Sequence, residues 1–105
     1  MTEQETILVV EDNPFTRKIV RLTLEKAGYR VQEAPDGRTA LARFRERPPD
    51  LVIQDLMLPD MDGVDLVRQL RETPEGATVP ILAFSDFLSQ IDHAGAGMVD
   101  RKSVV

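Results

Sequence analysis

Short apolar runs punctuate this chain, and between them the apolar positions recur with helical spacing. Ile7-Leu8-Val9-Val10 is apolar at every position. A strand with one wet face alternates, so an unbroken run reads as a strand buried on both faces, as in a parallel sheet. Glu11-Asp12-Asn13-Pro14 follows. Proline suits a first helical turn, where its missing N–H would find no partner, and Asn13 can cap that turn. The spacing predicts a helix from Pro14 to Ala27, with Gly28 as the residue that leaves it. On a helical wheel Arg17, Lys18, Arg21 and Glu25 fall within an arc of roughly 100°. Phe15, Ile19, Val20, Leu22, Leu24 and Ala27 fill the remainder. The expectation is one charged stripe facing water and a broad apolar face covering a sheet.

Tyr29 to Ala34 reads as a second strand, and Arg30, Gln32 and Glu33 within it suit a sheet edge. Pro35-Asp36-Gly37 is a turn signal. Residues 38 to 47 predict a short helix with Ala40, Leu41 and Phe44 as its core stripe, stopped by Pro48-Pro49. Leu51-Val52-Ile53 is a third strand, which delivers Asp55 at its C-terminal end. Leu58 to Gly63 is a loop in which Asp60 and Asp62 read as turn formers. Val64 to Arg71 is a third helix with Leu66, Val67 and Leu70 inward. After a loop through Pro74 and Gly76, Val79 to Phe84 is a fourth strand, ending at Ser85. Beyond it the pattern weakens. Phe87 to Ala94 holds about two turns of helix, Gly95-Ala96-Gly97 breaks it, and Met98-Val99 is a weak fifth strand. Strands and helices alternating at this spacing imply βαβ units, right-handed crossovers and an α/β fold with a parallel sheet.

Composition narrows the chemistry. With 105 residues the chain has room for a single domain over residues 1–105. An apolar content of 42% with 30% charged residues is that of a folded chain. The absence of cysteine excludes disulfides, thiolate metal sites and cysteine nucleophiles. A lone histidine, His93, argues against a histidine-rich metal site or a Ser-His-Asp triad. Thirteen basic residues against 18 acidic ones give a net charge of −5, and that field repels nucleic acid. The apolar runs are too short to span a bilayer, and Glu3 and Glu5 stand where a signal peptide would be basic. The expected protein is cytoplasmic, with neither nucleic acid nor membrane as partner.

In open α/β sheets the working site lies beyond the carboxyl ends of the strands, where strand order reverses. Here those ends carry Glu11 and Asp12 after the first strand, Asp55 after the third and Ser85 after the fourth. If the first and third strands are neighbours, three carboxylates converge. Like charges at close range raise one another's pKa or demand a cation. Hard divalent cations take oxygen ligands, and Mg²⁺ uses one or two carboxylates with waters and phosphate oxygens. A Mg²⁺ site on Glu11, Asp12 and Asp55 is the expectation.

Three stretches, ILVVEDNPFTR, LVIQDLMLPDMDG and VPILAFSD, resemble the response-regulator receiver domain, the phosphoacceptor module of two-component signalling. The resemblance implies a flavodoxin-like, doubly wound parallel sheet of five strands in the order 2-1-3-4-5. It also implies site roles: Glu11 and Asp12 as the acid pair, Asp55 as phosphoacceptor, Met57 giving its backbone carbonyl to Mg²⁺, and Ser85 as switch hydroxyl. Counting from Gly95-Ala96 places the family's lysine on Lys102, whereas counting from Gly97-Met98 places it on Val104. The implied phosphodonor is a phosphohistidine on a sensor histidine kinase or histidine phosphotransfer protein, or a small phosphodonor. The implied output is protein–protein contact with a downstream protein. Catalysis extends at most to the chain's own aspartyl phosphorylation and dephosphorylation. The first helix commonly meets the kinase in this family, which makes Arg17, Lys18 and Arg21 docking candidates. Met57 and Phe87, bulky and apolar beside the site, imply a long-lived acyl phosphate.

The C-terminal part departs from the resemblance. Ser103 stands where proline is usual and Val99 where an aromatic is usual. The expected fourth helix is shortened and the fifth is missing. Losing a covering helix exposes apolar sheet surface, so a homodimer, an exchanged-segment dimer, another partner or marginal stability is expected. These departures keep a second function open: a pseudo-receiver, a binding or dimerisation module that works without phosphorylation. An aspartate-nucleophile phosphatase would need a second aspartate at Met57 as general acid. A flavodoxin would need a first loop that welcomes phosphate, and Glu11-Asp12 repels it.

Overall fold

The unbroken apolar runs form the central strands, as their patterning requires. The computed structural model describes residues 4–84. In chain order these form β1 (Thr6–Val10), α1 (Pro14–Lys26), β2 (Arg30–Ala34), α2 (Gly37–Glu46), β3 (Leu51–Asp55), α3 (Gly63–Arg71) and β4 (Ile81–Phe84), with a short 3₁₀ turn at Glu75–Ala77 where a loop was expected. The sheet order is β2-β1-β3-β4, with every pairing parallel. This is the doubly wound order that the resemblance implies, as far as the described residues reach. The expected fifth strand, curtailed fourth helix and missing fifth helix lie outside them, as do Ser85 and Lys102.

Two faces follow from the strand alternation. Leu8, Val10, Val52 and Ile81 point into one core with Ala40, Leu41 and Phe44 of α2 and Leu66 and Leu70 of α3. Ile7 and Val9 are equally buried but stand outside that cluster. They face the other side, where α1 packs on β1 and β2.

The helix ends are built as the sequence predicts. Asn13 Oδ1 accepts from the N–H of Phe15 and Thr16 at 2.9 and 3.1 Å, supplying two of the donors a first turn leaves open. Gly28 leaves α1 at φ +101°, a backbone region that other residues rarely adopt. Asp36 and Asp62 cap α2 and α3 through Thr39 N–H and Val64 N–H.

The orientation of α1 differs from expectation. No residue of α1 is buried. Phe15, Ile19 and Leu22 are 72%, 50% and 48% exposed, while Arg17 and Arg21 are half-buried against the sheet with Val20 and Leu24. Glu33 of β2 pairs with both arginines. Its Oε1 lies 3.2 Å from Arg17 Nε and its Oε2 3.0 Å from Arg21 Nε. The two arginines lie over β2 with their apolar stems, and the stripe expected to cover the sheet is turned outward. Arg17 and Arg21 are thereby engaged within the chain, and Lys18 alone of the three docking candidates is an exposed cation.

Candidate functional site

β1 and β3 are neighbours in parallel register, with Val10 opposite Gln54. The residues that follow, Glu11-Asp12 and Asp55, therefore leave the sheet at the same edge. One carboxylate oxygen from each of Glu11, Asp12 and Asp55 lies within 4.8 Å of the other two. Glu11 and Asp55 are buried, at 4% and 5% exposure, and Asp12 is exposed.

Burial makes this convergence electrostatically costly. Desolvation pushes the Glu11 carboxyl up to about 7 from its usual 4.5. The Asn13 N–H, 3.0 Å from Oε2, opposes that rise, and the charges of Asp55 and Asp12 add to it. Three oxygen donors this close, one of them held toward its neutral form, suit a hard divalent cation, which would take up the negative charge. The donor set thus fits Mg²⁺.

Local hydrogen bonds fix each carboxylate. The Glu11 backbone is held on both sides: its N–H donates to Ala34 O at 3.0 Å, and its carbonyl accepts from Arg17 Nη1 at 2.8 Å. The N–H of Met57 donates to Asp55 Oδ1 at 3.0 Å. This contact uses the Met57 amide and leaves the carbonyl role implied by the resemblance untouched. The loop bearing Met57 is anchored at its base, where Leu56 N–H donates to Phe84 O at 2.6 Å and Gly63 N–H to Leu56 O at 2.8 Å. A side chain on Gly63 would place its Cβ 2.5 Å from Leu56 Cα and 2.8 Å from Asp55 O, so only glycine allows this approach. Met57 itself is 61% exposed at the site.

Three residues that support the site escaped sequence reading. Glu33 looked like an edge-strand solvating charge but organises Arg17, and through it the Glu11 carbonyl. Asp60 looked like a turn former; its two oxygens accept from Gly37 N–H and Arg38 N–H at 2.8 and 2.9 Å, across the chain on α2. Gln54 is wholly buried one residue before Asp55. Its signal was present, as the polar member of the run LVIQD.

Known proteins resemble this chain in sequence and in fold. The family pattern for the response regulator receiver domain matches residues 7–100. An uncharacterized 14.6 kDa protein from Leptolyngbya boryana is 38% identical over 93 residues, covering 89% of this chain and 71% of its own length. The transcriptional regulatory protein CseB of Streptomyces avermitilis is 39% identical over 92 residues, which is 88% of this chain but 38% of CseB. The solved structure of the chemotaxis response regulator CheY4 of Vibrio cholerae superposes with a TM-score of 0.78 at 32% identity, covering 92% of this chain and 81% of that one.

Proposed function

The chain belongs to the response regulator receiver domain family, and we propose that it accepts a phosphoryl group on Asp55. The observation that carries this reading is the convergence of Glu11, Asp12 and Asp55 within 4.8 Å at the ends of β1 and β3. In the proposed reaction an Asp55 carboxylate oxygen attacks phosphorus and forms an acyl phosphate. The donor's P–N bond breaks, and its electron pair returns to the imidazole of a sensor histidine kinase or phosphotransfer protein. Met57 N–H on Oδ1 holds the carboxylate in one orientation for this attack. Glu11, Asp12, Asp55 and the Met57 carbonyl would hold Mg²⁺, which supplies positive charge for the phosphoryl oxygens. In this reading Ser85 gives its hydroxyl to a phosphoryl oxygen and Lys102 pairs with its charge.

The added charge then alters the protein's surface, and the signal passes by protein–protein contact. The cytoplasm is the compartment that suits such a relay. The exposed stripe of Phe15, Ile19 and Leu22 supports a homodimer or exchanged-segment dimer as part of the reading.

The test is incubation with Mg²⁺ and acetyl phosphate followed by intact-mass measurement. A single phosphoryl adduct is expected, absent in Asp55→Asn and absent when Mg²⁺ is chelated. A wild-type protein that takes no adduct at any Mg²⁺ concentration overturns the proposal and leaves the phosphorylation-independent binding module standing.

A further inference from the structure

Gln54 is fully buried in β3, between the paired strands β1 and β4. It shares a face with Val52, so its side chain enters the core formed with α2 and α3. There Nε2 donates to Gly63 O at 2.8 Å, while Oε1 is buried and accepts no bond from a described residue. A buried amide with its acceptor unused destabilises a core, and an unbranched apolar side chain of similar length would avoid that loss. Core stability therefore does not explain a glutamine at this position, so its single hydrogen bond is the feature to account for.

That bond reaches the first residue of α3. Together with Gly63 N–H to Leu56 O it forms a two-point staple, each bond running opposite to the other, between the end of β3 and the start of α3. The staple closes the base of the loop 56–62. Within that loop lies Met57, whose N–H sets the orientation of Asp55 Oδ1. Gly63 packs against Asp55 O and Leu56 Cα too closely to admit a Cβ, so a small shift of α3 is passed directly to the backbone of Asp55 and Leu56.

We propose that Gln54 is a positioning residue for phosphoryl transfer: by fastening Gly63 to β3 it keeps the Met57 amide on Asp55 and the carboxylate aimed for in-line attack. This inference rests on the phosphoacceptor reading of Asp55. Without the fastening, the loop base loosens, the Met57 amide leaves Oδ1, and Asp55 samples rotamers from which attack is misdirected.

The experiment compares wild type with Gln54→Met and Gln54→Leu. It follows the thermal midpoint, the maximal phosphorylation rate at saturating Mg²⁺ and acetyl phosphate, and the ¹⁵N-resolved Met57 amide. The variants are expected to melt at or above the wild-type temperature, because the orphaned acceptor is gone. Their maximal rate is expected to fall about tenfold or more. The Met57 amide resonance should move toward its non-bonded position, and its hydrogen exchange should accelerate. An unchanged rate with an unchanged Met57 amide overturns the proposal. So does a rate that falls only in step with lost stability in both variants, since that is a packing role. Should wild type take no phosphoryl group, the phosphoacceptor reading fails and the transfer role of Gln54 falls with it. A wild type that is phosphorylated while the Met57 amide stays unperturbed in both variants overturns the Gln54 proposal alone.

Discussion

Glu11 carries the sharpest consequence at the residue scale. Its carboxyl ionises near 4.5 when solvated but is pushed up to about 7 in the folded chain, first by burial and then by Asp55 and Asp12. Between those values the folded state binds more protons than the unfolded one. Stability from this group is complete below about pH 4.5 and is lost as pH rises through about 7. A bound divalent cation would oppose this shift by favouring the charged form. The metal-free protein should therefore melt at progressively lower temperature as pH is raised across that window. Saturating Mg²⁺ should remove the trend, and Glu11→Gln should flatten it without metal. Thermal melts in chelator and in Mg²⁺ measure this directly. Wild-type and Glu11→Gln curves that track each other in chelator would show that Glu11 is not the titrating group.

At the scale of elements, the working loop is tied to α2 as well as to β3. Desolvation pushes the Asp60 carboxyl upward, and the N–H groups of Gly37 and Arg38 outweigh that effect, holding it below its usual value. The stabilisation belongs to the ionised form and is lost as pH falls through that lowered value. Asp60→Ala should cost about 1 kcal/mol, the usual worth of a helix cap, by chemical denaturation. An Asp60→Ala protein as stable as wild type at neutral pH would mean that the two bonds contribute nothing. This contact also marks where sequence reading stops. Ile7–Val10, the Ala40–Leu41–Phe44 stripe and the Asn13 and Gly28 helix ends were legible because each depends on neighbours close in the chain. Asp60 on Gly37 joins residues 23 apart, and no local pattern encodes it. The rotation of α1 was hidden for the same reason. Glu33 lies on β2, and its ion pairs with Arg17 and Arg21 join residues distant in the chain. The three acids of the site were legible because strand ends and parallel order place them. Gln54 was not, because a polar residue in an apolar run acquires meaning only with its partner.

At the scale of the whole molecule, the described helices cover the two sheet faces unequally. One face is sealed by α2 and α3. On the other, Leu51 and Ile53 share the side of Ile7 and Val9 through the β1–β3 register, and Leu82 joins them through its pairing with Ile53. All three remain half-buried, although Ile7 and Val9 beneath α1 are sealed. Phe15, Ile19 and Leu22 add exposed apolar surface on α1. A two-fold pairing lets one such surface cover its own copy, which is the simplest closed arrangement for a self-complementary patch. Lys18 and Lys26 are exposed on the same helix and add repulsion that salt screens, so the pairing should tighten as ionic strength rises. Light scattering coupled to size exclusion should find a dimer at about 100 µM, a concentration that reveals even micromolar association. Ile19→Glu combined with Leu22→Glu should give a monomer that still takes its phosphoryl adduct, since neither residue is part of the acidic cluster. A wild-type protein that stays monomeric at that concentration in high salt would leave this surface to a different partner.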